Sequence, residues 1–238
     1  MLERARIAVV VPARDEARWI AETVGRMPAF VDHVIVVDDA SRDATALEAA
    51  RPGDARVEVL RHADNRGVGA AIVTGYRRAR ALGADVAAVM AGDGQMHPDD
   101  LAAVALPVVR AEADYVKGDR LAHPGVFRAM PPARLAGTAA LAWLTRRAAG
   151  LPRLSDSQCG FTAISARAID ALGPDLDRLW PRYGYPNDLI GALCRHRLRI
   201  GEVVVRPVYR GEASGLRPWH LATIGYVIGR VAYRRLVS

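Results

Sequence analysis

Three short acidic segments carry the residue types with which a protein can handle a nucleotide. Arg14, Asp15 and Glu16 follow Pro12 and Ala13; Asp38 and Asp39 precede Ala40 and Ser41; Asp93 lies in Gly92-Asp93-Gly94-Gln95, shortly before Pro98. A carboxylate accepts hydrogen bonds from a ribose hydroxyl or a base edge, and a second can hold a divalent cation that screens a diphosphate. Together the segments describe a nucleotide pocket. Taken singly, each also has a purely structural reading: Asp38 or Asp39 as a turn residue or helix cap, and Asp93-Gly94 as an ordinary turn.

The segments need elements that bring them together. Residues 7–11, 34–37, 57–60 and 86–90 are short, apolar and valine-rich, the pattern of strands buried in a parallel sheet. Helical patterns fill the gaps: 16–27, a helix from an N-cap at Ser41 through Ala50, 68–82, and one opening at Pro98, where Asp99 and Asp100 suit the positive end. This alternation implies a doubly wound α/β sheet whose ligand crevice lies at the carboxyl ends of the strands, where the acidic segments fall. The second half is less regular, with strands expected over 115–117, 160–164 and 200–209 and helices over 132–149 and 186–194. With no repeat or linker, a single domain over 1–217 is expected, followed by a tail over 218–238. The tail mixes Trp219, Ile224, Tyr226, Val227, Ile228, Val231 and Tyr233 with Arg230, Arg234 and Arg235. It fits either an amphipathic helix in a membrane interface or a terminal helix packed on the core.

Composition sets the outer bounds. In 238 residues, 51% hydrophobic and 25% charged, there is enough apolar surface to offset chain entropy, which excludes general disorder. The net charge is +7, and Lys117 is the one lysine among 33 basic residues. Guanidinium suits phosphate better than ammonium does, so an anionic ligand or membrane is open, as is a plain codon-usage bias toward arginine. Nucleic acid is not expected as a partner, since aromatics are only 6% and no recognised binding module is present. Cys159 and Cys194 are too few for a disulfide framework or a zinc site and suit a reducing compartment. The run at 7–11 is too short for a signal peptide, and the apolar stretches at 135–145 and 218–229 fall below the roughly 20 residues that cross a bilayer. A cytoplasmic protein, at most peripheral on the cytoplasmic face of a membrane, is expected.

Four segments in order resemble the inverting family-2 glycosyltransferases. VIVVDDASRDAT resembles their V-D-D-x-S-x-D-x-T, VVVPARDEARWI their P-x-x-N-E, and Asn65-Arg66-Gly67-Val68-Gly69-Ala70-Ala71 their N-x-G-x-G-x-A loop. Ala91-Gly92-Asp93-Gly94-Gln95 with Pro98 resembles their metal-binding D-A-D-G-Q-x-x-P. The second half is similar to the dolichyl-phosphate mannose and glucose synthases: Lys117-Gly118-Asp119-Arg120 resembles their G-S-R, Arg134 falls at a second arginine, and Asp156-Ser157-Gln158-Cys159-Gly160-Phe161 resembles D-x-x-x-G-F. The resemblance implies a GT-A fold, a UDP- or GDP-hexose donor, a polyprenyl phosphate acceptor, inversion, and Mg2+ or Mn2+. It places Pro12, Ala13, Arg14, Glu16, Asp38, Asp39, Asn65, Gly67, Gly92 and Asp93 at the donor, Asp93 and Gln95 at the metal, and Arg120 and Arg134 on phosphate.

The match has departures. Ala91 replaces the first aspartate of D-x-D, which leaves the metal to Asp93, Gln95, the diphosphate and water. Arg14 stands at an aromatic or polar position, so base stacking there would use a guanidinium face. The family's R-x-x-G-x-S-K is partly kept over 210–217, with Ser214 retained, Gly215 where a lysine is usual, and Arg210 and Arg217 carried over. A phosphate acceptor is ionised at neutral pH and needs no strong base, whereas a hydroxyl acceptor calls for a carboxylate. Asp188, in the acidic position that resembles the one before the family's last core helix, is the candidate base and equally reads as a helix cap. A nucleotidyltransferase is disfavoured because 12–16 contains no glycine. A noncatalytic nucleotide-sugar binder is the other alternative that Ala91 raises.

Overall fold

Strand β1 (Ile7–Ala13) is buried along its whole length. Because its valines and isoleucine fill both faces, helices must cover both sides of the sheet that it centres. The computed structural model describes residues 1–208 and 218–237, so Arg210, Ser214, Gly215 and Arg217 lie outside the described residues. From β1 the chain runs through α1 (Ile20–Gly25), β2 (His33–Asp38), α2 (Thr45–Ala50), β3 (Val57–Arg61), α3 (Val68–Ala81) and β4 (Val86–Val89). A 3₁₀ turn at Pro98–Asp100 leads into α4 (Leu101–Val109), then β5 (Tyr115–Asp119), α5 (Val126–Ala129) and α6 (Pro132–Ala149). The remainder is β6 (Thr162–Ser165), α7 (Ala166–Leu172), a 3₁₀ segment at Gly173–Arg178, α8 (Tyr185–Arg195), β7 (Ile200–Val204) and α9 (Pro218–Val237).

The seven strands form one sheet in the order β3-β2-β1-β4-β6-β5-β7. Parallel pairing sets Ala13 beside Asp38 and Val10 beside Val89. Strand β6 runs antiparallel to both β4 and β5, which makes the sheet mixed. Alternation along β1 and β2 sends Val9, Val11, Val34 and Val36 to the face packed with Ile20, Val24, Leu101 and Val104. Val10, Ile35 and Val37 go to the other face, with Ala71, Tyr76, Ile164 and Leu189.

Several boundaries differ from expectation for identifiable reasons. Helix α1 begins at Ile20 rather than residue 16, because residues 16–19 make a turn in which the Trp19 and Ile20 N–H groups donate to the Glu16 carbonyl. Ser41 is not a helix cap. Its N–H donates to Asp38 and its Oγ accepts from the Asp15 N–H, so it ties two loops together and α2 starts at Thr45. Strand β7 ends at Val204, where its pairing with Asp119 of β5 ends. The short helices α5 and α7 carry too few turns for a periodic signal.

One face of the tail is packed on the core, while Leu221, Tyr226, Tyr233, Leu236 and Val237 of the same helix are exposed. Ile224, Val227, Ile228 and Val231 of α9 are buried, and three of them join Ala148, Ala149, Leu154 and Ile190 in a third core cluster. The arginines expected to meet lipid have protein partners: Arg230 donates to the Arg178 carbonyl, Arg235 to the Arg147 carbonyl, and Arg234 lies 3.7 Å from Asp188. No helix among the described residues is long and apolar enough to cross a membrane.

Candidate functional site

A cleft of about 630 Å³ opens at the carboxyl ends of β1, β2 and β4 and at the first turn of α3. It is lined by Pro12, Ala13, Arg14 and Glu16 after β1, Asp39 after β2, Asn65, Gly67, Val68 and Ala71 around the start of α3, and Ala91, Gly92 and Asp93 after β4. Nine residues expected at the donor are therefore brought together.

Asp39 organises this wall. Its Oδ1 accepts from the Arg66 N–H at 2.8 Å and lies 2.7 Å from His62 Nδ1, and its Oδ2 accepts from the Gly67 N–H at 2.7 Å. Burial pushes the carboxyl pKa up, but the His62 bond and the two backbone bonds outweigh it and hold the group below its ordinary value. An anionic Asp39 thus pins the loop at 65–67 to the end of β2. Gly67 is demanded twice: its φ is +95°, and a Cβ there would stand 2.4 Å from the Pro181 carbonyl oxygen.

The expected donor residue Asp38 is instead fully buried and does not line the cleft. Adjacent residues on an extended strand point to opposite sides, so Asp38 turns away from Asp39. It accepts from the Ser41 N–H at 2.9 Å and faces the Arg61 guanidinium at 3.3 Å. Gln95 is likewise not among the lining residues. Its N–H donates to Asp93 Oδ1 at 2.9 Å and shapes the turn that presents Asp93. No three of the His, Cys, Asp and Glu side chains among the described residues converge on one point. Asp93, the carboxylate presented by this turn, suits a Mg2+- or Mn2+-type cation whose other ligands are diphosphate oxygens and water.

The opposite wall was not expected. Trp180, Arg182 and Tyr183, from the segment before α8, and His220 and Thr223 of α9 complete the lining. Arg182 donates to the side chain and carbonyl of Asn65 at 3.1 and 2.9 Å, and the Gly69 N–H donates to the Pro181 carbonyl at 2.8 Å. The Tyr183 and His220 rings stack at 3.8 Å, and Trp180 meets Tyr226 edge-on at 5.7 Å. Three aromatics within residues 180–185, in a chain with 6% aromatics, are the one sequence signal for this wall.

Asp188 stands behind that wall. It is fully buried in the first turn of α8 and absent from the cleft lining, so it is neither a base in the cleft nor an N-cap of α8. Its Oδ2 accepts from the Trp180 N–H at 2.8 Å, and Arg230 and Arg234 lie at 3.6 and 3.7 Å. Its charge joins α8, α9 and the aromatic wall.

Arg120 and Arg134 are also outside the cleft lining. Arg120, at the end of β5, grips Asp156 with two hydrogen bonds of 2.7 and 3.1 Å. Burial pushes the Asp156 pKa up, but Arg120, with Lys117 and the Gln158 N–H, outweighs it and holds the carboxyl below its ordinary value. Beside them the buried Lys117 amine donates to the Cys159 carbonyl, and burial lowers its pKa. Arg134 sits half-buried in the first turn of α6.

Comparison with known proteins places these features in a lineage. Residues 8–173 match the family model Glycosyl transferase family 2. The chain is 32% identical over 218 residues to a UDP-N-acetylglucosamine–dolichyl-phosphate N-acetylglucosaminyltransferase of Methanococcus voltae, covering 85% of this chain and 86% of that protein. It is 32% identical over 216 residues to an undecaprenyl-phosphate mannosyltransferase of Micrococcus luteus, covering 88% and 87%. Among solved structures it resembles glucosyl-3-phosphoglycerate synthase of Mycobacterium tuberculosis in complex with Mn2+, UDP and glucosyl-3-phosphoglycerate, with a TM-score of 0.68 at 21% identity over 96% of this chain and 78% of that one.

Proposed function

The chain belongs to glycosyl transferase family 2 and has the GT-A fold, and from that premise we propose that it moves a hexose from a UDP- or GDP-sugar to a polyprenyl phosphate, with inversion at the anomeric carbon. Relatives aligned over most of the chain are named for transfer to dolichyl and undecaprenyl phosphates. The observation that carries the choice of acceptor is the burial of Asp188. With the candidate base turned into the protein, the site favours an acceptor that brings its own ionised oxygen, as a phosphate does and a sugar hydroxyl does not.

In this reading Pro12, Ala13, Arg14, Glu16, Asp39, Asn65, Gly67, Gly92 and Asp93 hold the donor, with Asp39 keeping the glycine loop in place beneath it. Asp93, with Gln95 shaping its turn, would hold Mg2+ or Mn2+. When bound, the cation offsets the charge that develops on the departing diphosphate. Arg120 and Arg134 take the acceptor phosphate. Asp156 fixes the direction of the Arg120 guanidinium. The protein acts as a peripheral enzyme on the cytoplasmic face of a membrane. In-line attack needs donor and acceptor oriented together, and the two walls of the cleft supply that orientation.

The test is a screen of UDP- and GDP-hexoses with a short polyprenyl phosphate in detergent, followed by NMR assignment of the anomeric configuration. The expected product is a glycosyl polyprenyl phosphate of inverted configuration, formed only with Mg2+ or Mn2+ present. Donor hydrolysis without transfer, or a product of retained configuration, would contradict the proposal.

A further inference from the structure

Helix α6 has an apolar outer side. Its buried side holds Thr138, Ala142, Thr145, Ala148 and Ala149, while the exposed positions from Ala133 to Leu144 are alanine, glycine, Trp143 and Leu144. A helix facing water normally shows the opposite pattern. Trp143 is 54% exposed and Leu144 42%, and Phe127 on neighbouring α5 is 80% exposed. Large apolar side chains left exposed in this way mark an interaction site.

Charge identifies the partner. Residues 121–155 contain no aspartate or glutamate, whereas Arg128, Arg147 and Arg153 in that stretch are exposed. A second copy meeting this surface by two-fold symmetry would set arginine against arginine, with no acid in the stretch to compensate. An anionic surface with an apolar interior fits both properties. The stretch also begins directly after Arg120 and includes Arg134 in the first turn of α6. Of the arginines assigned to the acceptor phosphate, Arg120 thus borders the stretch and Arg134 lies within it.

We propose that α5 and α6 are the surface by which the protein docks on an anionic phospholipid bilayer, with Phe127, Trp143 and Leu144 entering the headgroup region and Arg128, Arg147 and Arg153 meeting lipid phosphates. The inference rests on the polyprenyl phosphate reading in that such an acceptor is presented by a bilayer. It assigns docking to this surface in place of α9, whose Ile224, Ile228 and Val231 are packed in the core while Leu221, Tyr226 and Tyr233 stay exposed.

The test is flotation of the full chain with vesicles of equimolar phosphatidylglycerol and phosphatidylcholine, and with phosphatidylcholine alone. Binding is expected to the anionic vesicles and to weaken with salt, since exposed charges are screened over about 10 Å at 0.1 M. The double variant Phe127→Ser/Trp143→Ser should lose binding by about tenfold or more, while the exposed α9 double variant Leu221→Ser/Tyr226→Ser floats like the parent. Transfer to detergent-solubilised polyprenyl phosphate should survive in Phe127→Ser/Trp143→Ser, which also reports an intact fold. Absence of vesicle binding by the parent, or binding unchanged in that variant, would overturn the inference even if transfer in detergent is intact. So would a dimer in sedimentation that depends on Phe127 and Trp143 and replaces vesicle binding. Failure of transfer in detergent, with vesicle binding kept, would instead remove the enzymatic reading.

Discussion

The two walls of the cleft are held by different physics. The strand-end wall hangs on backbone: Asp39 takes the N–H groups of Arg66 and Gly67, and the Asp15 N–H donates to Ser41 Oγ. Its geometry follows from sheet register. The aromatic wall hangs on side chains, through the Arg182–Asn65 bonds, the Tyr183–His220 stack and, from behind, the Asp188 carboxylate with Arg230 and Arg234. The contrast teaches that a carboxylate at a family's acidic position can serve the site from outside it, as a positioning group for the wall.

Changes to each wall should separate these roles. The largest effect is expected from Asp93→Ala, which should reduce kcat by at least about a hundredfold, as loss of a group that stabilises transition-state charge does; steady-state kinetics with the fold checked by circular dichroism measures it. Next, Asp188→Ala leaves two arginines without their counter-charge and the Trp180 N–H without an acceptor. It should cost about 2–3 kcal/mol in urea unfolding, with Asp188→Asn recovering much of the loss because its amide oxygen still accepts. Gly67→Ala should cost about 2 kcal/mol by the same measurement, from its positive φ and the nearby Pro181 carbonyl. The smallest change is expected for His220→Ala. Loss of the ring stack is worth about 1 kcal/mol and should appear as a raised KM for the donor with kcat kept.

The strand-end wall was legible because its signals are local. Short apolar runs followed by Asp38-Asp39, by Asp93 and by Pro12 to Glu16 place their residues by sheet topology alone, and the expected α/β sheet and cleft position stand. Which of Asp38 and Asp39 faces the cleft was not legible, since that depends on where β2 ends. The aromatic wall escaped because His220 meets Tyr183, and Arg230 meets Asp188, only once α9 has packed on α8, a contact between segments with no shared period or motif. The tail's apolar face was equally compatible with lipid and with core. Its partner was set by small residues on neighbouring helices, among them Gly191, where a Cβ would stand 2.7 Å from Val231.

The most direct test of the central claim compares two acceptors that differ only at the reacting end: a polyprenyl phosphate and the corresponding polyprenol, each with the native chain and with Asp188→Asn, under one donor and one detergent. Transfer to the phosphate alone is predicted, at a rate that Asp188→Asn changes by no more than a few-fold. Efficient transfer to the polyprenol that collapses in Asp188→Asn, with the fold intact, would contradict it and restore Asp188 as a general base.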